Sequence, residues 1–99
     1  MKNPISAYDA IADANRRKIL DMLRHRSLPA GDIARRFANL SRPAVSKHLG
    51  VLRRSNLVAA HRRGRQIRYS LRAGPLRDVD RWLRRYEALW DGHLQSFKP

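Results

Sequence analysis

The sequence predicts one mainly α domain carrying a single small β-hairpin, and three observations lead to it. Apolar residues recur at three- and four-residue spacing through residues 5–55, as in amphipathic helices. Between residues 57 and 71 the period falls to two around Gly64, as in two strands joined by a tight turn. Helical spacing returns from Leu76 to Phe97. A chain of 99 residues makes one domain with a modest core, 1–99, and no repeat, low-complexity segment or linker divides it. Five helices and one hairpin are expected.

Ile5, Tyr8, Ile11 and Ala12 share one face of a short first helix over residues 5–12. Asp13 suits the N-cap of a second helix, Asn15 to His25, with Ile19, Leu20, Met22 and Leu23 inward. Arg16, Arg17 and Lys18 cluster near its start, either as a solvated face or as phosphate contacts. Ser27-Leu28-Pro29 breaks the pattern. A third helix, Ala30 to Phe37, turns Ile33, Ala34 and Phe37 inward and Arg35 and Arg36 outward. Ala38-Asn39-Leu40 then forms a tight connection, with Leu40 packing inward, into a fourth helix over residues 41–55. Residues 29–55 thus have helix-turn-helix spacing.

The fourth helix is the candidate functional element. Ser41 can cap it, and Pro43 falls in the first turn, where a missing N–H costs nothing. Val45, Leu49 and Leu52 form the inward stripe; Pro43, Ser46, Lys47, Gly50 and Arg54 lie opposite, with no acid among them. A slim cationic face of this kind can enter a DNA major groove. The plainer alternative is a solvated basic face. Ser46 and Lys47 are placed for base edges, and Arg42, at the edge of the face, for guanine or phosphate. Gly50 would let a DNA backbone approach closely, and the capping Ser41 can donate to phosphate. His48 falls on the side of Val45 and Leu52, which favours a half-buried structural role or a phosphate contact over base reading.

Leu57 to His61 and Gln66 to Leu71 read as the two strands, with Arg62-Arg63-Gly64-Arg65 as the turn. Ile67, Tyr69 and Leu71 are expected on the buried face and Gln66, Arg68 and Ser70 on the polar one. Arg62, Arg63 and Arg65 at the tip call for an anion opposite, so residues 57–71 have the arrangement of a wing on flanking phosphates or a minor groove. The alternative is an edge hairpin guarded by charge. The last helix, residues 75–97, carries Leu76, Val79, Trp82, Leu83, Tyr86, Leu89, Trp90, Leu94 and Phe97. That stripe is wider and more aromatic than a domain of this size uses internally. With Ile5 and Tyr8 of the first helix it is the expected homodimer interface, the alternative being a helix folded back over its own subunit.

The net charge is +14, from 22 Lys and Arg against 8 acids, and no acid occurs between Asp32 and Asp78. A one-sign field over the middle of a small domain fits a polyanion, with double-stranded DNA the first candidate. Without cysteine there are no disulfides and no thiolate ligands. No apolar run approaches the ~18 residues of a membrane span, and no signal-peptide h-region is evident, so a cytoplasmic protein without membrane insertion is expected. His25, His61 and His93 are scattered, no nucleophile pairs with a base, and no Gly-rich phosphate loop is present. Neither an enzyme nor a metal or other cofactor is expected.

Four segments together resemble the ArsR-type winged helix-turn-helix regulators over nearly the whole chain. They are Asp13-Ala14-Asn15-Arg16-Arg17-Lys18-Ile19-Leu20, Leu40-Ser41-Arg42-Pro43-Ala44-Val45-Ser46-Lys47-His48-Leu49, Val51-Leu52-Arg53-Arg54-Ser55-Asn56-Leu57-Val58, and Arg63-Gly64-Arg65 followed by Tyr69-Ser70-Leu71. The spacing of Trp82, Tyr86 and Trp90 is closer to the cysteine-free, autorepressor-like branch than to the metal sensors. Ser55-Asn56 stands where the family usually has Ala-Gly. The third-helix Cys-x-Cys of the thiol sensors is absent from Ala30-Gly31-Asp32-Ile33-Ala34-Arg35. Aligned on His93, the family's four zinc positions of the last helix are Asp80, Trp82, His93 and Ser96, and neither Trp82 nor Ser96 serves a tetrahedral ion. The resemblance implies a homodimer that binds a palindromic operator and represses, often its own operon; an unidentified protein or small-molecule effector is a further candidate partner. The alternative function is a non-specific nucleoid- or RNA-binding basic winged helix.

Overall fold

A computed structural model describes residues 4–90, which form six helices and a three-stranded antiparallel sheet. α1 (Ala7–Ile11) starts at Ser6, whose hydroxyl accepts the Asp9 N–H at 3.1 Å. α2 (Ala14–Met22) starts at Asp13, whose Oδ1 accepts from the N–H groups of Asn15 and Arg16 at 2.8 and 3.1 Å. Each cap satisfies donors that a helix start leaves open. α2 stops short of the expected His25. Leu23 turns into the core, and its N–H is shared between the carbonyls of Ile19 and Leu20.

Leu28-Pro29, expected as a plain break, forms a short strand, β1 (Leu28–Pro29). It pairs with β3 (Gln66–Leu71), Leu28 opposite Tyr69 and Pro29 opposite Arg68. Burial of Leu28 holds it there, and Pro29 is tolerated because β1 is an edge strand. α3 (Ala30–Arg35) is also shorter than expected. At Arg36 and Phe37 the backbone tightens to bonds three residues back, which drops Phe37 into the core.

α4 (Arg42–Arg54) is capped by Ser41, whose hydroxyl accepts the Ala44 N–H at 3.2 Å. Val45, Leu49 and Leu52 are buried, and Leu40 packs against the same core from the preceding turn. The helix ends in a Schellman motif. The Leu57 N–H bonds the Leu52 carbonyl at 2.9 Å, and the Asn56 N–H bonds the Arg53 carbonyl at 3.0 Å. Asn56 takes the left-handed position, φ 60°, which Asn tolerates better than most residues with a side chain.

β2 (Val58–Arg63) and β3 pair from Val58–Leu71 out to Arg63–Gln66, giving the sheet order β1-β3-β2. The turn is therefore only Gly64-Arg65, with Gly64 at φ 60° as in a type II′ turn, and Arg62 and Arg63 end the strand instead of lying in the turn. Ile67, expected inward, is exposed: it pairs with Arg62 where the hairpin has left the core, while Tyr69 and Leu71 still pack against it.

The expected single last helix is two. α5 (Leu76–Arg84) and α6 (Glu87–Trp90) are separated at Arg85-Tyr86, which makes six helices where five were expected. The N–H groups of Arg85 and Tyr86 reach only three residues back, to Trp82 and Leu83, at 3.2 and 2.9 Å. Val79 is the last residue of α5 inside the core, and every residue from Asp80 to Trp90 is exposed. Helices draw most of their stability from packing an apolar face, and beyond Val79 that face meets the described residues of α1 at Trp82 against Tyr8. Leu94 and Phe97 lie outside the described residues.

Candidate nucleic-acid interface

Burial of Val45, Leu49 and Leu52 fixes the rotation of α4 and thereby its outer face. Ser41, Arg42, Pro43, Ser46 and Lys47 are exposed there, and Gly50 and Arg54 are half-buried. A Cβ at Gly50 would meet nothing within 4 Å, so the fold does not require glycine at this mid-helix position. Arg54 turns back toward the body: its Nε is buried with no hydrogen-bond partner among the described residues, and its carbonyl accepts the Ile5 N–H at 3.3 Å. His48 is half-buried on the flank of the helix, its Nδ1 3.3 Å from the Arg16 guanidinium.

Among the described residues the ion pairs are Arg35–Asp32, Arg81–Asp78 and Arg84–Asp80, each within one helix and exposed. Exposed pairs contribute about 0–1 kcal/mol each. None involves Arg42, Lys47, Arg62, Arg63 or Arg65, so among the described residues these charges make no ion pair. Arg42 also reaches across to α3. A Cβ on Gly31 would stand 3.1 Å from Arg42 Nη2 and 3.6 Å from Arg35 Nη1. A cleft of about 310 Å³ opens between α3 and the hairpin turn, lined by Gly31, Asp32, Arg35, Arg65 and Gln66 among others. The surface around the outer face of α4 therefore includes Arg35, which sequence reasoning left out. Its outward position on the helix before the reading helix was the available signal.

The three cations of the second helix have other duties. Arg16 donates through Nε to the Ala10 carbonyl at 2.6 Å and through Nη2 to the Asp9 carbonyl at 3.0 Å. Arg17 donates to the Ile11 carbonyl at 2.7 Å, and Lys18 to the Arg36 carbonyl at 3.4 Å, with its ammonium 4.8 Å from the Phe37 ring centre. They close the open carbonyl ends of α1 and α3, where the helix dipole favours positive charge. Burial raises the Asp13 pKa, but the N–H groups of Arg16 and Asn15 and the Arg16 charge outweigh it. The Asp13 carboxyl is held below its ordinary value.

The expected pairing face separates into two parts. Ile5 and Leu76 are half-buried, and Val79 is buried against the chain's own core. Tyr8, Trp82, Leu83, Tyr86, Leu89 and Trp90 are each 39% to 46% exposed. The Tyr8 and Trp82 rings meet edge-on at 6.1 Å and 87°, Trp82 and Tyr86 at 5.3 Å and 66°, and the Tyr8 hydroxyl donates to the Asp78 carbonyl at 2.9 Å. Of the four zinc positions, Asp80 accepts from Arg84 Nε at 2.9 Å, Trp82 is part of this aromatic cluster, and His93 and Ser96 lie outside the described residues. Among the described residues no helix is long and apolar enough to cross a membrane.

Two helices joined by a tight turn, the second with an acid-free outer face, and a cationic hairpin define a winged helix-turn-helix domain. Residues 11–60 match the family described as "Helix-turn-helix domain". The chain is 42% identical over 78 residues to the transcriptional repressor SdpR of Bacillus subtilis (strain 168), covering 79% of this chain and 86% of SdpR. It is 41% identical over 70 residues to the HTH-type transcriptional regulator Rv2034 of Mycobacterium tuberculosis (strain ATCC 25618 / H37Rv), covering 71% of this chain and 64% of that protein. The solved structure of an ArsR-like transcriptional regulator from Rhodococcus sp. RHA1 superposes with a TM-score of 0.72 at 35% identity, covering 90% of this chain and 81% of that one. The chain belongs to the ArsR-type winged helix-turn-helix transcriptional regulators. It is a DNA-binding regulator, not an enzyme.

Proposed function

We propose that the protein is a homodimeric, sequence-specific repressor that binds a palindromic operator, with its own upstream DNA as the first operator to test. The outer face of α4 carries this reading: it is slim, free of acid and unpaired in charge, and its rotation is set by three buried residues. Two such helices in successive major grooves stand about one turn apart (~34 Å) on a two-fold palindrome. Ser46 and Lys47 take the base edges, with Ser41, Arg42, Pro43 and Gly50 on or beside the groove and Arg62, Arg63 and Arg65 on flanking phosphates, while His48 and Arg54 are half-buried behind the face. The exposed aromatic face of α5, α6 and Tyr8 favours self-pairing, because a lone subunit leaves it in water. The +14 charge also favours a second reading, a non-specific nucleoid- or RNA-binding protein. Competition between the gene's own upstream DNA and scrambled DNA at physiological salt separates the two. A repressor prefers its operator by ~10³-fold or more, and a ratio near one would overturn the repressor reading.

A further inference from the structure

Arg16 touches two other helices at once. Its Nε and Nη2 donate to the Ala10 and Asp9 carbonyls at the end of α1, and its Nη1 lies 3.3 Å from Nδ1 of His48 on α4. A guanidinium stays charged and has no acceptor, so at this contact Arg16 donates and Nδ1 must be bare. The single proton of the neutral imidazole then sits on Nε2. One side chain therefore closes the end of α1 and selects a tautomer on the reading helix. α1 is also the helix whose Tyr8 meets Trp82 in the exposed aromatic face.

We infer that Arg16 is a positioning residue for DNA reading. It holds α4 to α1 through His48, so that the aromatic face and the groove face move as one body. This rests on α4 being the DNA-reading helix. Were Arg16 only a cap for α1, its loss would lower stability and leave the choice between DNA sequences unchanged.

The test uses Arg16→Met, His48→Phe and His48→Asn in the full chain, since an Asn carbonyl offers an acceptor near the place of Nδ1. Affinity is measured for the upstream fragment and for scrambled DNA. Arg16→Met and His48→Phe are each expected to lower upstream-fragment affinity about tenfold, in line with one hydrogen bond to a charged group. Scrambled-DNA affinity should move less than about twofold, the double variant should lose no more than either single, and His48→Asn should retain most of the preference. Additive losses, equal losses on both DNAs, or full preference in His48→Phe would overturn the inference. Should Arg16→Met fail to fold, the His48→Phe and His48→Asn pair still decides it. The contact itself is read on the DNA-free protein by the ¹⁵N shift of His48 Nδ1, expected to be that of an unprotonated acceptor and to change in Arg16→Met. An unchanged shift would overturn the contact, whereas a wild type without operator preference would instead overturn the reading of α4.

Discussion

Gly50 offers a residue-scale test because fold and function make opposite demands on it. A glycine in mid-helix costs about 1 kcal/mol relative to alanine, and here no neighbour forbids a methyl group. Gly50→Ala should therefore raise thermal stability by roughly 0.5–1 kcal/mol while weakening operator binding, because the added methyl stands where DNA is to approach. Calorimetry and binding titrations read the two effects separately, and a stabilised variant with unchanged affinity would remove Gly50 from the interface. The residue scale was also where the sequence was most and least legible. Ser41 and Asp13 were readable as caps, because a short polar side chain before a helical period has a local job. The half-burial of His48 followed from its place on the helical wheel. The roles of Arg16, Arg17 and Lys18 did not, because the first two reach the open end of α1 and the third that of α3, and no local period encodes that reach. Asn56 was visible as a departure from Ala-Gly, yet its left-handed conformation emerges only with the two hydrogen bonds that end α4.

At the scale of elements, the hairpin separates charge from packing. Its inner half is held by Tyr69 and Leu71 on the core, while residues 61–67 stand exposed with Arg62, Arg63 and Arg65 among them. Arg63→Ala and Arg65→Ala should each weaken binding almost uniformly across DNA sequences and flatten the salt dependence by about one unit of log–log slope. The fold should not suffer, since both side chains are exposed. Titrations at several salt concentrations give the slope, and a slope unchanged in both variants would take the hairpin off the DNA. Alternation revealed both strands, yet it could not say where the core ends, and so it misplaced Ile67. The two residues of β1 are too few to show any period. α5 and α6 read as one helix because the three- and four-residue spacing continues through Arg85-Tyr86, whereas a continuous helix also needs a surface to pack on.

The whole molecule combines a one-sign electrostatic field with an apolar face that the described residues leave exposed. Long-range charge draws DNA of any sequence, and in the proposed homodimer the geometry of two α4 helices supplies the selection. Under that proposal, pairing of subunits is central to specificity. Leu89 is 46% exposed in the single chain, so Leu89→Glu should change the stability of one subunit by no more than about 0.5 kcal/mol. In a pairing face it should leave a monomer in sedimentation experiments and lower operator affinity by on the order of 100-fold, through loss of the second half-site. A variant that stays dimeric would move the interface elsewhere. Fold class was legible at this scale because helical period, hairpin and helix again follow in sequence order. The geometry of the candidate face was legible, because its inward stripe and acid-free outer side both lie within one helix. Arg35 escaped because the approach of Arg42 to α3 at Gly31, which brings the two guanidinium groups to one surface, is made through space.

The central claim is that the outer face of α4 reads base sequence, and Lys47→Ala tests it most directly. Lys47 is exposed, makes no ion pair among the described residues and stands beside Ser46 on that face. Affinity for the upstream operator and for scrambled DNA, measured side by side at physiological salt, gives the specificity ratio. Loss of a base contact should lower that ratio by roughly 10-fold or more, since a good base contact is worth about 1–3 kcal/mol of discrimination. Equal losses on both DNAs would make Lys47 a phosphate contact and contradict the account of α4 as the reading helix.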